Sequence, residues 1–312
     1  MDLNFKQVYH DIKDLNCGLV IRNEPMYKHT TYKVGGPARV YVEPDGIEQL
    51  RSVLDYCRGV GCRYMVIGKG SDLLFSDREY DGVIISLAHF DKVDFNGNII
   101  KAQSGVSLIA LAYQAAKYGL SGFEFMGGIP GTIGGALYMN AGAYKYCIAD
   151  VFKECTILNH QNEIVTLTKP EMQFAYRHSR LQRHPDWIIL DGTFEMNEKD
   201  PSDIKAILDK RKERRKSTQP WNFPCAGSVF RNPGSQPAWK YVDDAGLRGY
   251  EIGGAQVSPK HSNFIVNNGY ASAKDILQLI TLVQNTVKEK FGVELRTEVI
   301  LVNWEKDNVQ TR

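Results

Sequence analysis

Two glycine-rich stretches carry the residues whose types and spacing suit chemistry on a flat, charged ligand. From Gly119 to Tyr144 the chain reads GLSGFEFMGGIPGTIGGALYMNAGAY, and it places eight of the 28 glycines there, at Gly119, Gly122, Gly127, Gly128, Gly131, Gly134, Gly135 and Gly142. Without a Cβ, glycine lets main-chain N–H groups come close to a bound group, so the run suits a phosphate-bearing cofactor; tight turns between packed elements are the other reading. The second stretch is Gly68-Lys69-Gly70-Ser71-Asp72-Leu73-Leu74. It is not a dinucleotide fingerprint, because Leu73 stands where a third glycine is needed and no helical pattern follows. No GxxxxGK(S/T) phosphate loop occurs either. What remains is a turn whose amides, with the Ser71 hydroxyl, suit an anion-binding nest. Three further residues bear chemistry but lie far apart in sequence: Arg177, Ser228 in a proline-flanked loop, and Glu298. Each also has an ordinary reading, as a surface ion pair, a turn residue and a solvated carboxylate.

The elements that must position these groups are legible from periodicity. Phe5, Val8, Ile12 and Leu15 recur at helical spacing and predict an amphipathic first helix. Strands are expected over 39–43, 64–67 and 83–87, with a helix over 47–56 between the first two. Asn96-Gly97 predicts a tight hairpin joining 92–95 to 99–102. Ser107 is the expected cap of a helix that turns Leu108, Leu111, Ala112 and Ala115 inward and stops near Gly119. A second hairpin is expected from 152–158 to 163–167, then a short helix opened by Pro170 and ending near Arg177, then a strand over 187–196. A charged helix starts at Pro201 and runs through Lys216. The last helix begins after Ser272, buries Ile276, Ile280, Val283, Val287 and Phe291, and ends at Gly292. A final strand over 293–302 puts Glu294, Arg296 and Glu298 on one face. Hairpins outnumber repeated βαβ units, so the fold class is α+β.

Composition narrows the function classes. At 312 residues, 43% hydrophobic and 24% charged, the chain supports several domains and a sizeable core. No apolar run reaches the roughly 18 residues of a membrane-spanning helix, and the N-terminus MDLNFKQVYHDIK carries acidic residues where a signal peptide is basic, so the cytoplasm is the expected location. The six cysteines form no CxxC pair and read as free thiols, with no metal site expected. A net charge of only +2 argues against a nucleic-acid partner, and the run Lys210–Lys216 reads first as a solvated helix face, with a phosphate contact by one of its members as the other reading.

Taken together, TTYKVGGPA, GKGSDLL, GGIPGTIGGALYMNAGAY, YRHSRL, AGSVFRNP, HSNFIVN and LRTEV resemble the UDP-N-acetylenolpyruvoylglucosamine reductase family, in order and over nearly the whole chain. The resemblance implies a vanillyl-alcohol-oxidase-like (PCMH-type) FAD-binding fold of two subdomains, residues 1–82 with 301–312 and residues 83–200, plus a C-terminal α+β substrate-binding domain over 201–300. It implies FAD as cofactor and NADPH as the hydride-donating co-substrate. Cofactor contacts are implied at Gly68, Lys69, Gly70, Ser71, Asp72 and Leu73, and at Gly128, Ile129, Pro130, Gly131, Thr132, Gly134, Gly135, Asn140, Ala141 and Gly142. The short span from Arg177 to Ser228 resembles the branch without an inserted tyrosine lid loop.

The implied reaction reduces the enolpyruvyl group of a UDP-sugar to UDP-N-acetylmuramate, in the synthesis of peptidoglycan precursors. Arg177 is then expected to bind the substrate carboxylate, Glu298 to steady the enolate either protonated in the complex or through a shared hydrogen bond, and Ser228 to protonate C2. Tyr176, Arg177, Gln219 and Asn232 are the implied substrate contacts, Cys225 is read as a packing residue, and the protein is expected to act as a monomer. Competing expectations are another FAD oxidoreductase of the same fold and a non-catalytic nucleotide-sugar-binding protein.

Overall fold

Apolar spacing builds the first helix as Phe5–Asp14, where Asn4 caps the N-terminus by accepting from the amides of Lys6 and Gln7 at 3.1 and 3.4 Å. Only Val8 and Ile12 of the expected stripe are buried; Leu15 lies past the helix and is exposed. The computed structural model describes residues 3–234 and 236–305, so residues 1–2 and 306–312 of the expected first subdomain lie outside the described residues. By internal contacts the chain divides into two units, each assembled from separated segments. Met1–Arg22, Val40–Gly68 and Gly82–Arg214 form the first; Asn23–Arg39, Lys69–Asp81 and Arg215–Arg312 form the second.

Among the described residues the first unit holds two large sheets and two short two-stranded pairs, 142–143 with 146–147 and 120–121 with 197–198. Residues 18–22, 40–44, 82–86 and 64–67 are hydrogen-bonded neighbours in that order, with Tyr64–Ile67 parallel to its partner in register Tyr64↔Val83. The second sheet is a five-stranded antiparallel array in the order Ile164–Thr168, Phe152–Leu158, Ile188–Glu195, Ile99–Gln103, Val93–Asn96. Both expected hairpins are present in it. Val8, Val40, Leu50, Leu54 and Ile85 pack one core beside the first sheet. Ile100, Leu111, Phe123, Ile133, Phe152 and Phe194 pack the other.

The second unit is built on the long helix Ala273–Phe291, entered by a capping box between Ser272 and Asp275 and left through Gly292 at φ +67°. Ile276, Ile280, Val283 and Val287 are buried as spaced, while Phe291 at the last turn is exposed. An antiparallel three-stranded sheet, Glu251–Ile252, Ala255–Val257 and Ile265–Asn267, supplies core partners. Leu73–Phe75 and Ile300–Val302 pair in parallel, Leu73 opposite Ile300.

Four elements differ from the sequence reading. Ser107 precedes the helix Leu108–Lys117 but its side chain makes no capping hydrogen bond. The Pro170 helix is only Lys169–Met172, because Gln173 turns left-handed at φ +48°. The helix from Pro201 runs on to Thr218. The final strand is only Ile300–Val302, since upstream the chain joins main-chain partners through a single bridge at Thr297.

Candidate active site

Arg177 sits in a two-residue turn rather than at a helix end. Ala175 and His178 exchange main-chain hydrogen bonds of 3.0 and 3.1 Å, which leaves Tyr176 and Arg177 at the tip. Arg177 adopts φ +54°, a left-handed conformation that costs a non-glycine residue about 1 kcal/mol and that recurs where side chains are held for function. Three neighbours hold the turn in place. Asn140, itself left-handed at φ +44° and buried, donates to Ala175 O at 2.8 Å. Gln182 donates to Arg177 O at 3.1 Å and to Tyr138 O at 3.0 Å, and Ser179 donates to Tyr138 O at 2.8 Å. The Arg177 guanidinium donates to Gly142 O at 3.0 Å and lies 5.0 Å from the centre of the exposed Tyr176 ring.

Within the same unit, the segment 128–142 is fixed from behind. Leu108 N donates to Gly131 O at 3.1 Å, Ile133 N to Val106 O at 3.0 Å, and Gly134 N to Ser104 O at 2.9 Å. Gly135 N is capped by the Thr132 hydroxyl at 3.4 Å. The amides opening the helix Ile133–Met139 are therefore satisfied inside the protein. A hydroxyl is left over, since Ser104 Oγ is buried without a hydrogen-bond partner beside Gly134. Gly68 also closes on this segment, where a Cβ would lie 2.4 Å from Thr132 Oγ1.

In the second unit, Lys69–Leu73 forms the other half of the GKGSDLL loop. Gly70 turns at φ +58° with its Cα face pressed on main chain; an added Cβ would meet His29 O at 2.2 Å. Thr31 N donates to Gly70 O at 3.2 Å and Ile300 N to Asp72 O at 2.9 Å. The amides of Lys69, Gly70 and Ser71 donate to no group among the described residues, and Thr31 Oγ1 is buried without a partner. Three successive open amides at a left-handed turn, with a spare hydroxyl beside them, fit a phosphate-bearing group such as the diphosphate of FAD. Close by, burial pushes the Tyr32 phenol well above its ordinary pKa, with the charges of Cys225 and Asp72 adding to it.

Ser228 and Glu298 come together in this unit through main-chain pairing. Phe230 bridges Thr297 antiparallel, Glu298 N donates to Val229 O at 2.8 Å, and Arg231 N donates to Arg296 O at 2.9 Å. Residues flanking Ser228 thus run alongside those flanking Glu298. The sequence reading left unassigned the residue that locks this pairing, Asn263. Its side chain accepts from Phe230 N at 3.0 Å and donates to Phe230 O at 2.9 Å, while its carbonyl accepts from Val229 N at 2.8 Å. A buried asparagine opening the apolar run Phe264–Val266 in HSNFIVN is the signal that marks it.

The remaining expected contacts are also in the second unit. Gln219 Oε1 is buried without a donor, an acceptor available to a ligand. Asn232 is exposed and accepts from Ala238 N at 3.0 Å, opening the helix Ala238–Asp244. Burial pushes the Cys225 thiol up, which keeps it protonated and matches a packing role. A groove of about 1120 Å³ in this unit, lined by Asp77, Lys274, Thr281 and Trp304 among others, contains none of these residues. Among the described residues no group of three or more His, Cys, Asp or Glu side chains is arranged to hold a metal, and no helix is long and apolar enough to cross a membrane.

Residues 38–168 match the family model of the FAD binding domain, and residues 219–302 match that of the UDP-N-acetylenolpyruvoylglucosamine reductase C-terminal domain. The chain is 44% identical over 298 residues to a UDP-N-acetylenolpyruvoylglucosamine reductase of Anoxybacillus flavithermus, covering 95% of this chain and 99% of the relative. It is 41% identical to that of Bacillus subtilis, covering 95% and 98%. The crystal structure of UDP-N-acetylenolpyruvylglucosamine reductase from Thermus caldophilus superposes with a TM-score of 0.77 at 31% identity, over 91% of this chain and 98% of that one. The mixed α+β architecture is accordingly an FAD-binding fold of the PCMH type. With similarity at this level over almost its full length, the chain belongs to the UDP-N-acetylenolpyruvoylglucosamine reductase family.

Proposed function

We propose that this protein is an FAD-dependent enzyme that uses NADPH to reduce UDP-N-acetylglucosamine enolpyruvate to UDP-N-acetylmuramate. The observation that carries this reading is the main-chain pairing of 229–231 with 296–298, which sets Ser228 and Glu298 on adjoining chain segments under the control of Asn263. FAD, when bound, supplies the redox chemistry that takes a hydride from NADPH and delivers it to C3 of the enolpyruvyl group.

Every other demand of the reaction falls on side chains. Hydride addition at C3 leaves negative charge on C2 and the adjoining carboxylate. The guanidinium of Arg177 offers a fork of donors that matches that carboxylate, and its hydrogen bond to Gly142 O holds the fork beside the hairpin. Glu298 shares a hydrogen bond with the developing enolate. Ser228, whose hydroxyl donates to no protein group among the described residues, delivers the proton to C2. Tyr176, Gln219 and Asn232 contribute substrate contacts, and the buried acceptor of Gln219 favours a donor group of the ligand.

The open amides of 69–71 would hold the cofactor, with Gly68, Asp72 and Leu73 completing that loop, and residues 128–132, 134–135 and 140–142 are assigned to it as the other loop. Residues 1–82 with 301–312 and residues 83–200 serve the cofactor, and residues 201–300 serve the substrate. The enzyme acts as a monomer in the cytoplasm, where nucleotide-sugar precursors and NADPH are available, without nucleic-acid or membrane partners.

An anaerobic titration of the purified protein tests the reading. NADPH should bleach a bound flavin and the enolpyruvyl UDP-sugar should restore its colour; substrate-dependent hydrogen peroxide without NADPH consumption points instead to an oxidase of the same fold.

A further inference from the structure

The sequence offers a basic run, Lys210–Lys216, without singling out one member. Packing does. The helix Pro201–Thr218 buries Ile204 and Leu208, and Leu208 presses on the glycine segment, where a Cβ on Gly127 would lie 2.4 Å from its Cδ2. Residues 204, 208 and 211 follow the spacing of one helical face, so Arg211 occupies the next core-facing position after Leu208. An apolar side chain is the ordinary occupant of such a place.

Arg211 is received there by aromatic rings. Its guanidinium lies 4.7 Å from the centre of the Tyr144 ring and 5.9 Å from that of Tyr146, and the Tyr144 hydroxyl donates to Arg211 O at 3.3 Å. Both tyrosines belong to the hairpin Gly142–Ala143 and Tyr146–Cys147, whose tip residues Tyr144 and Lys145 are left-handed at φ +57° and +71°. Stacking on a ring face satisfies the flat side of a guanidinium and leaves its in-plane N–H donors outward. No carboxylate and no other acceptor among the described residues takes the side-chain donors of Arg211. A second guanidinium is held on the same hairpin, because Arg177 donates to Gly142 O. The two anchoring points, Gly142 and Tyr144, are two residues apart on this hairpin.

We propose that Arg211 is a binding residue for a phosphate of the substrate's nucleoside diphosphate, held ready by Tyr144 and Tyr146. The inference rests on the reductase reading, which supplies a substrate with two anionic parts, a carboxylate and a diphosphate. One hairpin then presents one guanidinium to each. The cation is oriented before the ligand arrives, so little side-chain entropy is lost on binding.

The test compares uridine 5′-diphosphate with uridine, measured calorimetrically on the FAD-loaded enzyme. In Arg211→Gln, which removes the charge and keeps the stem, the affinity for uridine 5′-diphosphate should fall roughly ten- to a hundredfold, as expected for a lost hydrogen bond to a charged group. Uridine affinity should stay as in the wild type, Arg211→Lys should recover part of the loss, and KM for the enolpyruvyl sugar should rise while kcat holds. Unchanged diphosphate affinity in Arg211→Gln overturns the proposal. So does an equal fall for both ligands, which marks a packing role, and thermal melting of both variants shows whether the fold is intact. Wild-type enzyme that turns over the enolpyruvyl sugar while Arg211→Gln behaves normally removes this inference alone; wild-type protein that neither binds uridine 5′-diphosphate nor consumes NADPH removes the reductase reading with it.

Discussion

Two turns in the second unit, at Gly70 and at Gly227, look alike in sequence and differ in what surrounds them. Both are left-handed, at φ +58° and +76°. Behind Gly70 stands main chain, with His29 O 2.2 Å and Thr30 Cα 3.0 Å from where a Cβ would be; around Gly227 nothing lies within 4 Å. The first turn is thus backed by a wall and turns its amides outward, a surface made of backbone. The second only redirects the chain so that Ser228 follows at the right angle, and it leaves the chemistry to side chains. Glycine is required at Gly70 by space and dihedral together, and at Gly227 by dihedral alone.

Substitutions break the comparison in a definite order. Gly70→Ala should cost most, ~4 kcal/mol, because the left-handed strain adds to a clash that only a main-chain shift relieves; a urea melt should show the loss and the protein should shed FAD on purification. Wild-type stability in that variant would show that the wall behind the loop yields freely. Next, Asn263→Ala removes the side-chain clamp on Phe230 and leaves its buried N–H and C=O unpaired, for about 3 kcal/mol and a fall in turnover that tracks it. Ser228→Ala should leave flavin reduction by NADPH intact and slow flavin reoxidation by the enolpyruvyl sugar about a hundredfold or more, read by stopped-flow absorbance. Equal losses in both half-reactions would take Ser228 out of the proton-transfer role. Gly227→Ala should cost least, about 1 kcal/mol, with both half-reactions still detectable.

The sequence made the elements legible wherever period and punctuation agreed. The strand Tyr64–Ile67, the Asn96-Gly97 hairpin and the Ser272–Asp275 capping box are found where spacing puts them. Legibility failed where a non-glycine residue is left-handed, because nothing in its type announces it. Gln173 cuts the Pro170 helix short, and Arg177 turns a supposed helix end into a tight turn. It failed again where an element is defined by long-range partners. The 293–302 segment alternates well enough to read as one strand, yet only Ile300–Val302 finds a neighbouring strand. At the candidate site, Ser228 and Glu298 were nameable from motifs, but Asn263 and Arg211 were not singled out. Their roles depend on what stands opposite, Phe230 in one case and Tyr144 in the other.

The parallel pairing of Leu73–Phe75 with Ile300–Val302 has a consequence during synthesis on the ribosome. All three residues of the earlier strand are fully enclosed in the finished protein, and most of the chain must be translated before their partner emerges. At ordinary elongation rates that wait lasts roughly tens of seconds, with an oily, unsatisfied edge presented to the cell throughout. Emergence of Ile300–Val302, rather than of the N-terminal half, is therefore the moment at which this region stops being a target for chaperones and for misassembly.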